Sequence, residues 1–346
     1  MAYYYSNEIV FRGHPDKVCD QISDALLDAF MDGDKRSRCG IEVVGGKGKI
    51  FVTGEVSSAA TVDVEAIIKN VLSDVGYRTD YEIINNIGVQ SPDIAQGVDV
   101  GGAGDQGMMF GYACRDTEQL LPTAMVILQR FAQFYDKLRQ EDKRFLPDGK
   151  AQITGCYSNQ HDLIAIQDFT VSYQNTEEER ESTDEIIRNY ITELCAEYNI
   201  EVENFHINPT GKFMIGGFDG DAGLTGRKIV VDNYHSFANV GGGAFSGKDP
   251  TKVDRSAAYM ARLVARTILE QGEFKWCEVQ LSYAIGMEKP LGIYIKTDKC
   301  TLRAADELYE MCKPRNIIDT LDLLNVRYYD TAMFGHFGDK RFTWER

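Results

Sequence analysis

Residues 13–53 read GHPDKVCDQISDALLDAFMDGDKRSRCGIEVVGGKGKIFVT. Apolar side chains at Val18, Ile22, Ala25, Leu26, Ala29 and Phe30 keep the i, i+4, i+7, i+8 spacing of one helix face. Pro15 stands in a first helical turn, which needs no amide donor there. Further on, the apolar runs 41–44 and 50–53 flank Gly45-Gly46-Lys47-Gly48, a hairpin signal. A helix feeding a strand pair is the seed of an α+β unit.

Outward from this stretch the alternation repeats. Ile67, Ile68, Val71, Leu72 and Val75 mark a second helix, and residues 118–138 a third, with Pro122 in its first turns. Residues 152–158 and 163–173 read as a strand pair, 185–198 as a helix and 228–231 as a buried strand. A helix over 254–271 precedes another strand pair, 277–285 and 291–296, then helical turns to Leu324 and an aromatic, irregular tail from Tyr328. The expected fold class is α+β, in three interlocked units with approximate boundaries 1–99, 102–216 and 217–346. Glu177-Glu178-Glu179 reads as a solvated loop.

The chain has 346 residues, with 37 Lys+Arg against 53 Asp+Glu and a formal net charge of −16. Such acidity excludes a broad basic face for nucleic acid or an anionic membrane, though not a local basic pocket. No run approaches the about 18 apolar residues of a membrane span, and residues 1–12 lack the pattern of a signal peptide. The eight cysteines form no C-x-x-C pair, so free buried thiols in a reducing cytoplasm are expected.

Two glycine-rich segments imitate nucleotide motifs without meeting their requirements. Gly102-Ala103-Gly104-Asp105-Gln106-Gly107 fits G-x-G-x-x-G, but the residues after it are strand-like where a dinucleotide fold needs a helix. Gly242 to Asp249 nearly fits a P-loop, yet Asp249 stands where a hydroxyl should meet magnesium. The second segment still offers exposed backbone N–H groups, a lysine and a following helix, all suited to a phosphate.

Five segments combine charge with glycine or proline: 13–17, 91–97, 147–150, 220–228 and 242–254. By itself Pro147-Asp148-Gly149-Lys150 reads as a surface turn. Together these segments and the Gly/Asp run after residue 97 supply the cations Lys17, Lys150, Arg227, Lys228, Lys248 and Lys252, and the anions Asp16, Asp105, Asp221 and Asp254. A polyphosphate calls for both sets, cations on its oxygens and carboxylates for the bridging magnesium.

Residues 13–25, GHPDKVCDQISDA, resemble the N-terminal signature of the methionine adenosyltransferase (S-adenosylmethionine synthetase) family. GAGDQGMMFGYA at 102–113 and GGGAFSGKDPTKVDRSAAY at 241–259 resemble its two other signatures, and 220–231, 282–286 and Gly335-His336-Phe337-Gly338 follow in order. The resemblance implies three similar α+β units around a pseudo-threefold axis, and a site shared between two subunits of a homodimer, possible also in a tetramer. It implies a cytoplasmic enzyme joining ATP and L-methionine, with Mg²⁺ (two per site) and K⁺, and with neither nucleic acid nor membrane as partner. The methionine sulfur attacks C5′ of ATP, and the released triphosphate is hydrolysed to phosphate and pyrophosphate.

Carried over by motif, His14, Lys150 and Asp105 would be catalytic. His14, Asp148, Lys150, Lys212, Phe213, Asp221, Arg227, Lys228, Ala244 and Lys248 would bind ATP, Phe213 by stacking on adenine. Methionine would meet Glu55, Gln96, Asp221, Lys252 and Ile285; Asp16 and Asp254 would ligate magnesium and Glu42 potassium. Two departures stand out. The family's acidic residue before Gly-His-Pro-Asp-Lys is Arg12 here, and only Val100-Gly101 joins Gln96-Gly97-Val98-Asp99 to Gly102 where the family has a longer loop. They leave open a nucleotide-binding homologue without transfer activity, or a triphosphatase.

Overall fold

The computed structural model describes residues 2–89, 101–159 and 161–346. Strand β1 (Tyr3–Val10) leads into α1 (Pro15–Gly33), whose first turn His14 caps by accepting the Asp16 N–H on Nδ1. The antiparallel hairpin β2 (Arg38–Gly46) and β3 (Lys49–Ser57) follows, then α2 (Val64–Val75) and β4 (Glu82–Gly88), parallel to β3. Asp63 caps α2 at one end and a left-handed Gly76 closes the other.

After β5 (Gly107–Cys114) and α3 (Thr123–Glu141), the plan recurs. Hairpin β6 (Phe145–Tyr157) and β7 (Leu163–Asn175) leads through α4 (Arg180–Glu197) to β8 (Val202–Ile207), parallel to β7. The last third runs from β9 (Gly223–Leu224) through α5 (Val253–Gln271) to the hairpin β10 (Trp276–Tyr283) and β11 (Gly292–Thr297), with β12 (Thr301–Leu302) beside β11. Helices α6 (Asp306–Met311), α7 (Pro314–Thr320) and α8 (Tyr328–Phe334) complete it.

The strands form three four-stranded sheets, β1-β6-β7-β8, β4-β3-β2-β9 and β12-β11-β10-β5. Every hairpin is thus flanked by an antiparallel strand from a different third of the chain: β1 on β6, β5 on β10, β9 on β2. The exchange is cyclic, as the three α+β units around a pseudo-threefold axis require. Ile9, Val10 and Phe11 consequently join the core of α3, β6 and β7, while α1, α2 and α5 share a larger core.

Four local expectations are corrected. Residues 228–231 are not a strand: Ile229–Asp232 is a helical turn with Asp232 N–H on the Lys228 carbonyl, because three apolar residues, Ile229 to Val231, carry no period of their own. Pro147 to Lys150 is not a surface turn but part of β6, where Lys150 pairs with Val10 of β1, Gly149 and Lys150 pair with β7, and a register shift falls between Phe145 and Gly149. The tail is not irregular throughout: Tyr328–Phe334 is helical, its first amides held by the carboxylate of Asp28, 300 residues away in sequence. Six cysteines are buried and all are unpaired, but Cys156 is half-buried and Cys300 exposed.

Candidate active site

Two charged groups gather along α1. The first surrounds its N-terminus, where Gly13 is required by close approach: a Cβ there would lie 2.3 Å from the Pro147 carbonyl oxygen. That contact presses the His14 turn onto β6, which carries Asp148 and Lys150, and Phe11 N–H donates to the Gly149 carbonyl at 2.9 Å. Burial, then Lys228 and Lys150, push the His14 imidazole down to about 4, against the pull of Asp16 and Asp221. The ring is therefore neutral at pH 7. Its Nδ1 accepts a backbone N–H at 3.2 Å, so the proton sits on Nε2, which becomes a donor.

Asp16 is 4 % exposed. Its Oδ1 accepts the Leu224 N–H at 3.0 Å and lies 3.9 Å from Arg227 Nη1, and its Oδ2 is 2.5 Å from Lys228 Nζ. Strand β9 and the turn after it thus deliver the cations of one third to the helix of another. Asp148 Oδ2 accepts the Gly217 N–H at 2.8 Å, and burial pushes its carboxyl up to about 6. Residues 213–217 lie against the same wall: the Phe213 carbonyl accepts from Asn175 N–H, and the Met214 carbonyl from Gln174. Asp221 accepts its neighbour's N–H and belongs electrostatically to His14. Lys212 stands apart, 3.6 Å from Glu177.

The second group lies where the 241–248 segment crosses the hairpin β2–β3. Gly247 N–H donates to Asp24 of α1 at 2.8 Å, the Gly247 carbonyl accepts from Ile41, and Gly40 bridges Lys248. Lys248 Nζ is 2.5 Å from Asp254 Oδ2 in the first turn of α5. A Cβ on Gly243 would fall 2.1 Å from the Asp254 carboxyl carbon, so only glycine lets the segment pass. Lys252 pairs with the buried Asp249 at 3.6 Å. Burial pushes Glu42 up, opposed by Lys248, which places Glu42 beside this group. Glu55 stands opposite Gly40 on β3. Ala244 faces Gly226, just ahead of Arg227.

Asp105 precedes β5 and accepts the Gln106 N–H. The exposed Ile285 belongs to a loop tied to the same segment, with Gly286 N–H on the Ala103 carbonyl at 2.7 Å and Ala103 N–H on the Met287 carbonyl at 2.9 Å. Gln96, the rest of 91–97 and Val100 lie outside the described residues. Among the described residues no hydrogen bond or ion pair joins the first group to the second, and no three His, Cys, Asp or Glu side chains are arranged to hold a metal ion by themselves.

Lys17 corrects an expectation. It does not face the site: it is wholly buried between Asp20, at 3.1 Å, and Asp232. Sequence reasoning also missed Asp20 and Asp24. Asp20 accepts the Gly226 N–H at 2.8 Å, and Asp24 holds Gly247 and, at 2.7 Å, Arg255. A readable signal existed, since aspartates recur every fourth residue from 16 to 32. Arg12, the reversed charge, is absorbed inside the protein by Asp74 at 2.5 Å and Asp136 at 3.4 Å.

Comparison with known proteins matches the whole length. Models of the S-adenosylmethionine synthetase N-terminal, central and C-terminal domains match residues 2–92, 100–213 and 215–346. The S-adenosylmethionine synthase of Sorangium cellulosum is 42% identical, over 99% of this chain and 87% of its own. That of Prochlorococcus marinus is 42% identical over 99% and 96%, and that of Helicobacter pylori 41% over 100% and 96%. No described helix is long and apolar enough to cross a membrane.

Proposed function

The chain belongs to the S-adenosylmethionine synthetase family, and on that premise we propose that its two charged groups are halves of one ATP–methionine site, completed by a second copy of the chain. The enzyme is a transferase that forms S-adenosylmethionine from ATP and L-methionine. A thioether is already nucleophilic, so no base has to activate it. The barrier lies in charge: a sulfonium forms while a triphosphate departs, and preorganised donors lower that barrier most.

His14, neutral and with its proton on Nε2, donates to the leaving bridging oxygen. Lys150, Arg227, Lys228 and the other half's Lys248 hold phosphate oxygens, and Asp105 completes the catalytic group. Asp148, Lys212, Phe213 and Ala244 seat the nucleotide, with Phe213 against the adenine. Glu55, Gln96, Lys252 and Ile285 receive methionine, and Asp221 touches both substrates.

The family generally needs a divalent metal and potassium. Magnesium uses few protein carboxylates beside water and phosphate oxygens. One carboxylate per half, Asp16 and Asp254, fits that habit, and Glu42, on β2 beside Lys248, fits K⁺. A bound divalent metal would neutralise phosphate charge beside Lys228 and Lys248, which pair with the two carboxylates.

The observation that carries this reading is the convergence of His14, Asp16, Lys150, Asp221 and Lys228 on one helix N-terminus from distant stretches of chain. Incubation with ATP, methionine, Mg²⁺ and K⁺ is expected to yield S-adenosylmethionine, pyrophosphate and phosphate; a folded sample yielding none of them overturns it. Chains carrying Lys228→Met and chains carrying Lys248→Met, each inactive alone, are expected to regain about one quarter of the wild-type rate when mixed. Random pairing makes half the dimers mixed, each with one intact site. No recovery after subunit exchange would place both lysines in a single-chain site.

A further inference from the structure

We infer that Arg12 is a positioning residue for the transfer step: with Asp74 and Tyr329 it locks the turn that presents His14. Its side chain, 6 % exposed, reaches four helices at once. Nε donates to Gln21 of α1 at 3.0 Å, Nη2 to Asp74 of α2 at 2.5 Å and to the Tyr329 hydroxyl of α8 at 2.7 Å, and Nη1 to Asp136 of α3 at 3.4 Å. The Tyr329 hydroxyl in turn donates to Asp74 at 2.6 Å, closing a ring of three groups.

The backbone of the same turn is gripped as firmly. Gln21 Nε2 donates to the Arg12 carbonyl at 2.6 Å, and the Tyr77 hydroxyl donates to the Gly13 carbonyl at 2.5 Å. Gly13 itself has no room against Pro147. A residue two positions before His14 is therefore fixed through both side chain and backbone. A guanidinium presents five donors in a rigid fork, and only such a group can serve Gln21, Asp74, Asp136 and Tyr329 together. Burial of a charge is costly unless it is paired and hydrogen-bonded; this one is, and what its bonds fix is the segment from Phe11 to His14.

This inference rests on the synthetase reading above and is tested separately from it. Tyr329→Phe removes one hydroxyl from the ring and leaves the aromatic packing in place. Arg12→Lys keeps the charge and loses the fork. Single-turnover formation of S-adenosylmethionine is expected to slow about tenfold in Tyr329→Phe and up to about a hundredfold in Arg12→Lys, the scale of a displacement near 1 Å at a reacting group. KM for methionine and ATP should stay within about twofold in both.

Ile68→Val, in the core of α2 and away from the site, lowers stability without touching the turn and should keep the wild-type rate. A full rate in Tyr329→Phe, with only its melting temperature lowered, would make the ring mere scaffolding and overturn the inference, as would a raised KM at unchanged kcat. Should Arg12→Lys fail to fold, Tyr329→Phe alone decides. If the wild-type protein made no S-adenosylmethionine, it is the synthetase reading that fails.

Discussion

The two ends of α1 carry the same residue in the same spacing and put it to different uses. Asp16, Asp20, Asp24, Asp28 and Asp32 stand four residues apart. Each of the first three meets a cation, and each accepts a backbone N–H from the last third of the chain. These are Lys228 and Leu224 for Asp16, Lys17 and Gly226 for Asp20, Arg255 and Gly247 for Asp24. Asp28 meets two backbone N–H groups, of Tyr328 and Tyr329, and makes no ion pair among the described residues; Asp32 stands in solvent near Lys35. The N-terminal half of α1 is thus a template on which two loops are registered, one carrying Arg227 and Lys228, the other Lys248. The distal half caps a helix. What a carboxylate does here follows from the charge that the packing sets beside it.

The largest test breaks the template. Arg255→Met leaves Asp24 buried with only a backbone donor, and removing one partner of such a pair costs about 3–5 kcal/mol. The urea midpoint should fall accordingly, whereas an unchanged midpoint would show that Asp24 has water or another cation to turn to. Next comes the chemistry at the tip. His14→Asn is expected to lower kcat by a factor of about 10²–10³, the usual loss when a donor to a developing oxyanion is removed. Stability should hardly change, because asparagine caps a helix as well as the histidine it replaces. A rate within a few-fold of wild type would remove His14 from the leaving-group role.

How much of this was legible in the sequence divides along the same line. The start of α1 is encoded locally, by Gly13-His14-Pro15-Asp16 and a regular apolar face, and so were the hairpins and most helices. The family motifs named the charged residues. What could not be read was their partners. Lys17 looks like a phosphate ligand until Asp232, 215 residues away, claims it. Pro147 to Lys150 looks like a turn until two strands flank it, and the last aromatic helix has no cap in its own sequence because its cap is Asp28. The cyclic strand exchange is of the same kind: nothing within β1, β5 or β9 states which sheet receives it. Local propensity and period survive in single-sequence reading; pairings across hundreds of residues do not.

Asp28 gives the smallest and most specific test of the comparison, through pH. With no ion pair of its own, burial pushes its carboxyl from the ordinary 3.8 up to about 7, against the two backbone donors and the charge of Arg255. The folded protein therefore holds this proton more tightly than the unfolded chain. Below about pH 4 both states are protonated and the contribution is whole. As pH rises toward 7 the unfolded state releases the proton while the folded state retains it, and stability is lost across that window. The carboxylate keeps some contact with water, which limits the loss to on the order of 1 kcal/mol. Asp28→Asn has no proton to lose. It also gives up one of the two acceptors that hold Tyr328 and Tyr329, a cost of about 0.5–1.5 kcal/mol that does not depend on pH. The variant should accordingly be the less stable protein at pH 4, with the gap closing by pH 7.5 in urea titrations at both values. A gap that stays constant would mean that Asp28 is ionised in the folded state, held there by its donors and by Arg255, erasing the difference between the two ends of the helix.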